Sequence, residues 1–239
     1  MALRSDTSAN PRRFYRLVEV EASEAAFTVR LDGRPPRSPG GPPLILPTRA
    51  LADLVAAEWA AQGEAISFAA MPATRLAFAA LDADAAARAK AVSSVVRHAG
   101  ADLLCYPAQA PAALVERQEA VWSPLLAWAA DDLNLAFVQS PGVVHRPQPP
   151  ETLSKVAALG EAMEPFTQVG AAFAAALFGS AILALALWQG RLDGAAAFAA
   201  SRLDEDFQAE RWGVDAEAAA RARGLAADAQ TAGRWLAAC

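Results

Sequence analysis

Cysteine and histidine are scarce in this 239-residue chain, and the spacing of the few present argues against metal and redox chemistry. Neither Cys105 nor Cys239 has a partner at a CxxC spacing, so the sequence offers no zinc ribbon and no redox motif. The two histidines, His98 and His145, have no second histidine or cysteine at ligand spacing. Two isolated thiols in a chain of this length favour a reducing compartment, with one disulfide between them as the alternative.

The motifs of common nucleotide-binding and nucleophilic enzymes are also missing. There is no Walker loop and no GxGxxG, and Gly179-Ser180 lacks the GxSxG pattern of a nucleophile elbow. Adjacent acids occur at Asp131-Asp132 and Asp204-Glu205-Asp206, but neighbouring side chains on a helix point in different directions and do not by themselves form an acid/base pair. We therefore expect a protein that is not an enzyme.

Positive charge is in short supply as well. The net charge is −5 and the sequence pI is near 5.1, so the chain has no electrostatic footprint for a phosphate backbone and nucleic acid is not an expected partner. Residues 1–11 are polar, without the apolar run of a secretory signal, so we expect a cytoplasmic protein.

One charge-free run, Val169 to Gln189, is long enough to span a bilayer. The run is rich in alanine, is interrupted by Gly170 and Gly179-Ser180, and lacks basic flanks. A helix that is apolar all round is also what the centre of a helical domain requires. The composition favours a buried core over a membrane span.

The first part of the chain has the pattern of a small α+β domain. Strands are predicted at Phe14–Glu21, Phe27–Leu31 and Leu44–Leu46, because apolar and polar residues alternate there or form a short apolar run. Asp32-Gly33 is a hairpin turn signal, and Thr48 can cap the helix that follows. We place the boundary of this domain, residues 1–74, near Met71-Pro72, where proline disfavours helix at the residue before it.

The remainder, residues 75–239, has helical periodicity and abundant alanine, the strongest helix former. Ser123-Pro124 is typical of a helix start, because proline is well tolerated at the first helical position. The predicted helices are 83–99, 112–122, 123–131, 152–163, 166–178, 180–189, one from the Asp193 cap to about Arg211, and one opened by Asp215. The fold class is therefore α+β, with a small β-containing domain before a larger helical one.

The helix that ends at Gly213 has a distinctive polar face. Glu205, Gln208 and Trp212 fall at i, i+3 and i+7, whereas Leu203 and Phe207 share a different face that we assign to the core. A tryptophan beside Glu and Gln belongs either to a buried polar network or to a binding surface, where Trp is enriched. Spacing alone favours the buried network.

Strings distributed from Arg13 to Leu236 resemble the F-type ATP synthase assembly chaperones that are specific for the alpha subunit, known in mitochondria as ATP synthase assembly factor 2. No single string is decisive, but their order and spacing together are specific. They are Arg13-Phe14-Tyr15, Leu31-Asp32-Gly33-Arg34-Pro35, Leu46-Pro47-Thr48, Glu58-Trp59 with Gln62, Met71-Pro72-Ala73-Thr74, Asp102-Leu103-Leu104-Cys105-Tyr106, Gln118 with Trp122, Pro124 and Trp128, Gly179-Ser180, and the segment Asp204 to Gly213.

The resemblance implies a chaperone without cofactor or turnover. Its client is the free alpha subunit of the ATP synthase catalytic head, whose beta-facing surface is apolar and would otherwise self-associate. The chaperone covers that surface until a beta subunit takes its place. Relatives in eukaryotes work in the mitochondrial matrix. Carried over by position, the client-binding residues are Glu205, supported by Asp204, Gln208, Glu210, Trp212 and Trp59, although a core role for Trp59 is equally compatible.

Two other classes of function stay open from the sequence. One is a small-molecule-binding or hydrolytic enzyme that uses Glu205 in a closed helical pocket. The other is a membrane-associated factor that uses the run from Val169 to Gln189.

Overall fold

The structure, a computed structural model, describes residues 10–142 and 144–239. The chain divides into two compact units, the first ending at Asp82 and the second running from Ala83 to Cys239. A small sheet lies in the first unit and the second is helical, which confirms the predicted α+β class.

The sheet of the first unit is antiparallel, and its strands within the described residues are β1 (Val18–Ala22), β2 (Phe27–Leu31) and β3 (Ile45–Leu46), in that order. Residue Val20 of β1 lies opposite Val29 of β2, and Thr28 lies opposite Ile45. The predicted turn at Asp32-Gly33 is confirmed, since both residues have positive φ and Leu31 and Arg34 exchange backbone hydrogen bonds of 2.8 and 3.0 Å.

Two helices complete the first unit. Helix α1 (Arg49–Ala60) begins at the predicted Thr48 cap and packs its buried residues, Leu51, Val55 and Trp59 among them, against β1 and β2. A short 3₁₀ turn (Phe68–Ala70) leads into α2 (Pro72–Leu81).

The start of α2 is tied to α1 by a carboxylate. Glu58 accepts hydrogen bonds of 2.7 Å from the N–H groups of Ala73 and Thr74, and one of 2.8 Å from the Thr74 hydroxyl. The bonds satisfy donors that an α-helix leaves unpaired at its N-terminus. Because α2 continues across residue 74 while held to α1, the division between the units lies after Asp82, eight residues beyond the predicted boundary.

The second unit is built from helices packed around a central one. They are α3 (Ala85–Gly100), α4 (Ala112–Leu133), α5 (Pro150–Ala162), α6 (Pro165–Phe178), α7 (Ala181–Trp188), α8 (Gly194–Ser201), α9 (Leu203–Trp212) and α10 (Ala216–Ala238). Every residue of α7 from Ala181 to Leu187 is buried, and α7 packs against α3, α4, α6, α8 and α10.

The charge-free run therefore forms the end of α6 and all of α7, as the buried-core interpretation predicted. Gly179 in the left-handed region (φ +64°) ends α6, and Ser180 caps α7 by accepting from the Leu183 N–H at 3.0 Å. Among the described residues, no helix is long and apolar enough to cross a membrane.

A buried carboxylate fixes the start of α7. Asp102 is fully buried and accepts hydrogen bonds from the Ser180 hydroxyl (2.7 Å) and from the N–H groups of Ile182 (3.0 Å) and Leu104 (3.1 Å). Burial raises the pKa of Asp102 to about 6, and these donors offset part of that effect because they favour the ionised form.

Two predicted helix boundaries are wrong, and β1 begins at Val18, four residues after the predicted start of that strand at Phe14. Helix α4 runs unbroken from Ala112 to Leu133 with Pro124 inside it, because Pro124 is exposed while the buried stripe continues on the opposite side through Trp122, Leu125 and Trp128. The helix predicted from Asp193 to Arg211 is two helices, α8 and α9, separated at Arg202 (φ −121°, ψ 16°).

Helices α8 and α10 cross where both lack side chains. A Cβ atom on Gly194 would collide with the carbonyl of Ala229, and one on Gly233 would lie 2.8 Å from the Gly194 nitrogen. Only glycine at both positions permits this approach of the two backbones. The cysteines are free thiols, Cys105 buried and Cys239 exposed, so the disulfide alternative is not supported.

Candidate functional site

Helix α9 presents the predicted polar face to solvent. Phe207 is 5% exposed and packs beneath the guanidinium groups of Arg117 and Arg211, 5.3 and 4.2 Å from its ring centroid. Glu205, Gln208 and Trp212 are exposed, and the Trp212 side chain is 77% accessible. An accessible tryptophan of this kind contributes apolar contact area to a binding surface but none to the core.

A polar network also exists, but it runs through Asp204. The Gln118 side chain, 1% exposed, donates to Asp204 Oδ2 at 2.9 Å and accepts from the Ala108 N–H at 2.7 Å. Burial and the neighbouring charge of Glu205 raise the pKa of Asp204. The two interpretations of this helix therefore apply to different residues: Asp204 joins the network and Glu205 lies outside it.

Ion pairs hold the other acids of α9. Arg117 of α4 contacts Glu210 at 2.8 Å, and this hydrogen bond lowers the pKa of Glu210. Arg202 lies 3.8 Å from Glu205 and 3.7 Å from Asp206. The Glu205 carboxylate, in a side chain that is 54% exposed, keeps most of its hydrogen-bonding capacity directed at solvent.

The surface next to Glu205 is an open polar cleft of about 510 Å³. It lies between the start of α9 and the start of α10, and its lining includes Arg202, Asp215, Glu217 and Arg221. We call the exposed residues Glu205, Gln208, Trp212 and Val214 the α9 surface. It combines two large apolar side chains with one exposed carboxylate and one exposed amide, a composition suited to protein contact.

Trp59 lies in the core of the first unit. It is 3% exposed, its backbone carbonyl accepts from the Tyr15 hydroxyl at 2.7 Å, and its ring packs edge-on against those of Tyr15 and Phe68. The indole N–H has no hydrogen-bond partner among the residues that the structure describes. Any effect of Trp59 on a client would pass through the exposed aromatic residues in contact with this cluster, Phe14 and Phe68.

Three residues that shape the α9 surface were absent from the predicted set. Gln118 hydrogen-bonds to Asp204, and Arg117 pairs with Glu210. Arg202 lies beside Glu205 and Asp206 at the start of α9. Gln118 stands in one of the strings quoted above, which was a usable signal. The pairing of Arg117 with Glu210 joins residues 93 apart, and nothing in a single sequence indicates it.

Comparison with known proteins gives consistent results over almost the whole chain. Residues 12–130 match the family model described as ATP12 chaperone protein. The crystal structure of Atp12 from Paracoccus denitrificans is 41% identical, with a TM-score of 0.86, over 95% of this chain and 97% of that one. An aspartate-to-lysine mutant of the same protein matches equally well. The Atu1473 protein of Agrobacterium tumefaciens is also 41% identical, with a TM-score of 0.86, over 95% of this chain and 86% of that one.

Proposed function

This chain belongs to the ATP12 chaperone family, and we propose that it binds the free alpha subunit of the ATP synthase catalytic head and prevents its aggregation until a beta subunit replaces it. On this proposal the chain works in the cytoplasm, without cofactor and without turnover. Its family membership supports an assembly role, and the choice of the alpha subunit as client is the further step.

The observation that carries the proposal is the α9 surface. Trp212 and Val214 are exposed large apolar residues at and just beyond the end of α9, and Glu205 and Glu210 of the same helix are exposed carboxylates. Trp is the residue type most enriched at binding hot spots, where it anchors an apolar partner surface. The proposal assigns to Trp212 and Val214 the contact with the apolar, beta-facing surface of the client.

Release by displacement requires modest affinity. Few anchors and mostly exposed ion pairs give little binding energy beyond the apolar contact, because exposed charge pairs contribute about 0–1 kcal/mol each. A beta subunit that buries more of the same client surface would then displace the chaperone by mass action. Nothing in this scheme requires nucleotide hydrolysis.

The enzyme alternative is less well supported. It needs Glu205 in a closed pocket, whereas the Glu205 side chain is half exposed on an open cleft whose lining includes other carboxylates and arginines. The matching family is described as a chaperone family, which gives no support to turnover.

The test is an aggregation assay with purified alpha subunit, measured by light scattering with and without stoichiometric chaperone. We expect suppression by the chaperone alone, without nucleotide or metal, and release of the alpha subunit when beta subunit is added, followed by size-exclusion chromatography. Selective binding to beta subunit or to the assembled head would contradict the proposal.

A further inference from the structure

A second feature is a pocket of about 200 Å³ between α4 and neighbouring loops, and one of its lining residues, Gln118, hydrogen-bonds to Asp204 of α9. One wall is a single face of that helix, formed by Val115, Gln118, Glu119, Trp122 and Ser123. These positions are separated by three or four residues or by whole turns, so their side chains point the same way. The opposite wall comes from two loops and contains Pro107, Ala108, Gln139 and Pro141.

The loop wall is fixed by hydrogen bonds. The Ser140 N–H donates to Cys105 O at 2.7 Å, and the Gly142 N–H donates to Pro107 O at 2.9 Å, so the two loops hold each other. The Ala108 N–H donates to the buried Gln118 side chain, which ties the loops to α4. The pocket therefore exists before any partner arrives, and a preformed pocket lowers the ordering cost of binding.

Its size selects the kind of occupant. Pockets that bury a whole small-molecule ligand are typically about 300–1,000 Å³, so this one is too small for such a ligand. About 200 Å³ instead equals the volume of roughly seven water molecules, or one long side chain. An anchor side chain from a protein partner is the class of occupant that the volume fits.

The charges around the pocket select the chemistry of that side chain. Among its described lining residues Glu119 is the charged one, and Gln118 hydrogen-bonds directly to the Asp204 carboxylate behind it. The nearest arginine on the same helix, Arg117, is engaged with Glu210 and with the Phe207 ring. The lining thus combines apolar walls, from Val115 and the prolines, with negative charge that no lining cation compensates.

We propose that this pocket receives one arginine side chain of the client. The methylene stem lies along the apolar walls, and the guanidinium reaches Glu119 and the side-chain oxygen of Gln139 at the rim. Arginine fits better than lysine because its planar group carries five donors in a fixed fork, which can serve these two acceptors together. The inference rests on the proposed function, since it adds an anchor for the same client.

Two variants test the pocket without touching the core. Ser123 is exposed, and Ser123→Trp fills the pocket, whereas Ser123→Ala leaves it open. Glu119→Lys reverses the charge at the rim. We expect Ser123→Trp and Glu119→Lys each to weaken binding of purified alpha subunit about tenfold or more, and Ser123→Ala to bind like the parent. Asp131 is an exposed acid on α4, about 18 Å from Glu119 along the helix axis. Asp131→Lys is the matched charge control for Glu119→Lys and should bind like the parent.

The identity of the anchor is tested by cross-linking. A photoreactive phenylalanine analogue at Ala120, which is exposed on α4 next to Glu119 and does not line the pocket, should cross-link the alpha subunit at a segment that contains an arginine, identified by mass spectrometry. Replacing that arginine by alanine should weaken binding to the parent chaperone but not weaken Ser123→Trp further. A cross-linked segment without arginine, or additive losses in the double variant, would overturn the inference.

Failure of the inference and failure of the proposed function give different results. If the parent protects alpha subunit and Ser123→Trp with a parent-like melting temperature protects it equally well, the pocket is not an anchor site and the proposed function stands. If the parent itself does not bind alpha subunit, both fall.

Discussion

The two units of this chain use the same device for stability but differ in the surface they present. In each, a carboxylate distant in sequence receives the N–H groups at the start of a helix: Glu58 at α2 and Asp102 at α7. Residues 1–82 carry as many acids as bases, so the net charge of −5 belongs entirely to residues 83–239. Helix anchoring by a carboxylate is therefore a property of both units, whereas the excess of negative charge belongs to the second.

The largest effect should come from the fully buried anchor. Asp102→Ala leaves the Ser180 hydroxyl and the Ile182 N–H without an acceptor inside the core, and we expect the free energy of unfolding to fall by about 3 kcal/mol or more. Hydrogen exchange should increase throughout residues 83–239. Faster exchange confined to residues 10–82 would show that the units do not depend on their own anchors.

Asp102 should also make the free energy of unfolding depend on pH. The folded protein holds the Asp102 proton up to a pKa of about 6, whereas the unfolded chain releases it near its ordinary value of 3.8. The stabilising contribution is therefore complete below pH 3.8 and is lost as the pH rises towards 6. Denaturant titrations from pH 3.5 to 7 should show this loss in the parent but not in Asp102→Asn; identical pH profiles would contradict the assignment.

The anchor of the first unit should matter somewhat less. Glu58 is half-buried, so water can replace part of what is lost, and we expect Glu58→Ala to lower the free energy of unfolding by about 2 kcal/mol. Asp53→Ala on the same helix, an exposed residue paired with Arg49, is the control and should change it by about 0.5 kcal/mol or less. Equal effects at the two positions would remove the anchoring role of Glu58.

Charge reversal should separate the surfaces of the two units. Glu205→Lys should weaken alpha-subunit binding about tenfold or more through like-charge contact, without lowering the melting temperature. Glu205→Gln, which keeps the shape, should fold normally and bind in between. Glu24→Lys, an exposed acid in the first unit, is the matched control. A large drop in melting temperature for both Glu205 variants would mean that Glu205 is structural.

Each unit also has one strongly exposed aromatic residue, Trp212 at 77% and Phe14 at 70%. Trp212→Ala should weaken alpha-subunit binding by about 1–2 kcal/mol, measured by calorimetry, because it removes an anchor. Phe14→Ala should leave the affinity unchanged. Equal losses of affinity in the two variants would show that the first unit also takes part in binding. Trp59 would then contribute to binding indirectly, from the core of that unit.

The smallest effect should be at the pair between Arg117 and Glu210. Both side chains are about half exposed, so a double-mutant cycle with alanine should give a coupling of about 0.5 kcal/mol. A coupling of 2 kcal/mol or more would mean that this pair anchors α9 to α4.

Local signals predicted most of the fold, and the exceptions have a common cause. The Thr48 and Asp215 caps, the Asp32-Gly33 turn and the ends of α6 depend on neighbouring residues, and the sequence indicated each of them. The helix start predicted at Ser123-Pro124 does not occur, because the packing of the whole apolar stripe of α4 outweighs the one backbone hydrogen bond that proline removes.

The candidate site was predictable only in part, for the same reason. The exposed positions of α9 follow from helical spacing, but their exposure does not, and spacing alone favoured a buried network. The contact of Gln118 with Asp204 determines which residue of α9 joins the buried network. These two residues are 86 positions apart, and only the fold brings them together. Long-range pairs of this kind leave no periodic trace in a single sequence.

The glycine crossing of α8 and α10 has a consequence for genetics. Helix α8 leads directly into α9, so a side chain at Gly194 or Gly233 that pushes α8 away from α10 would also displace the start of α9. A screen for alleles that impair ATP synthase assembly should therefore recover substitutions at these two codons together with those on α9. Western blots would tell the classes apart: glycine alleles should lower the amount of protein in the cell, whereas alleles of the α9 surface should leave it at the normal level.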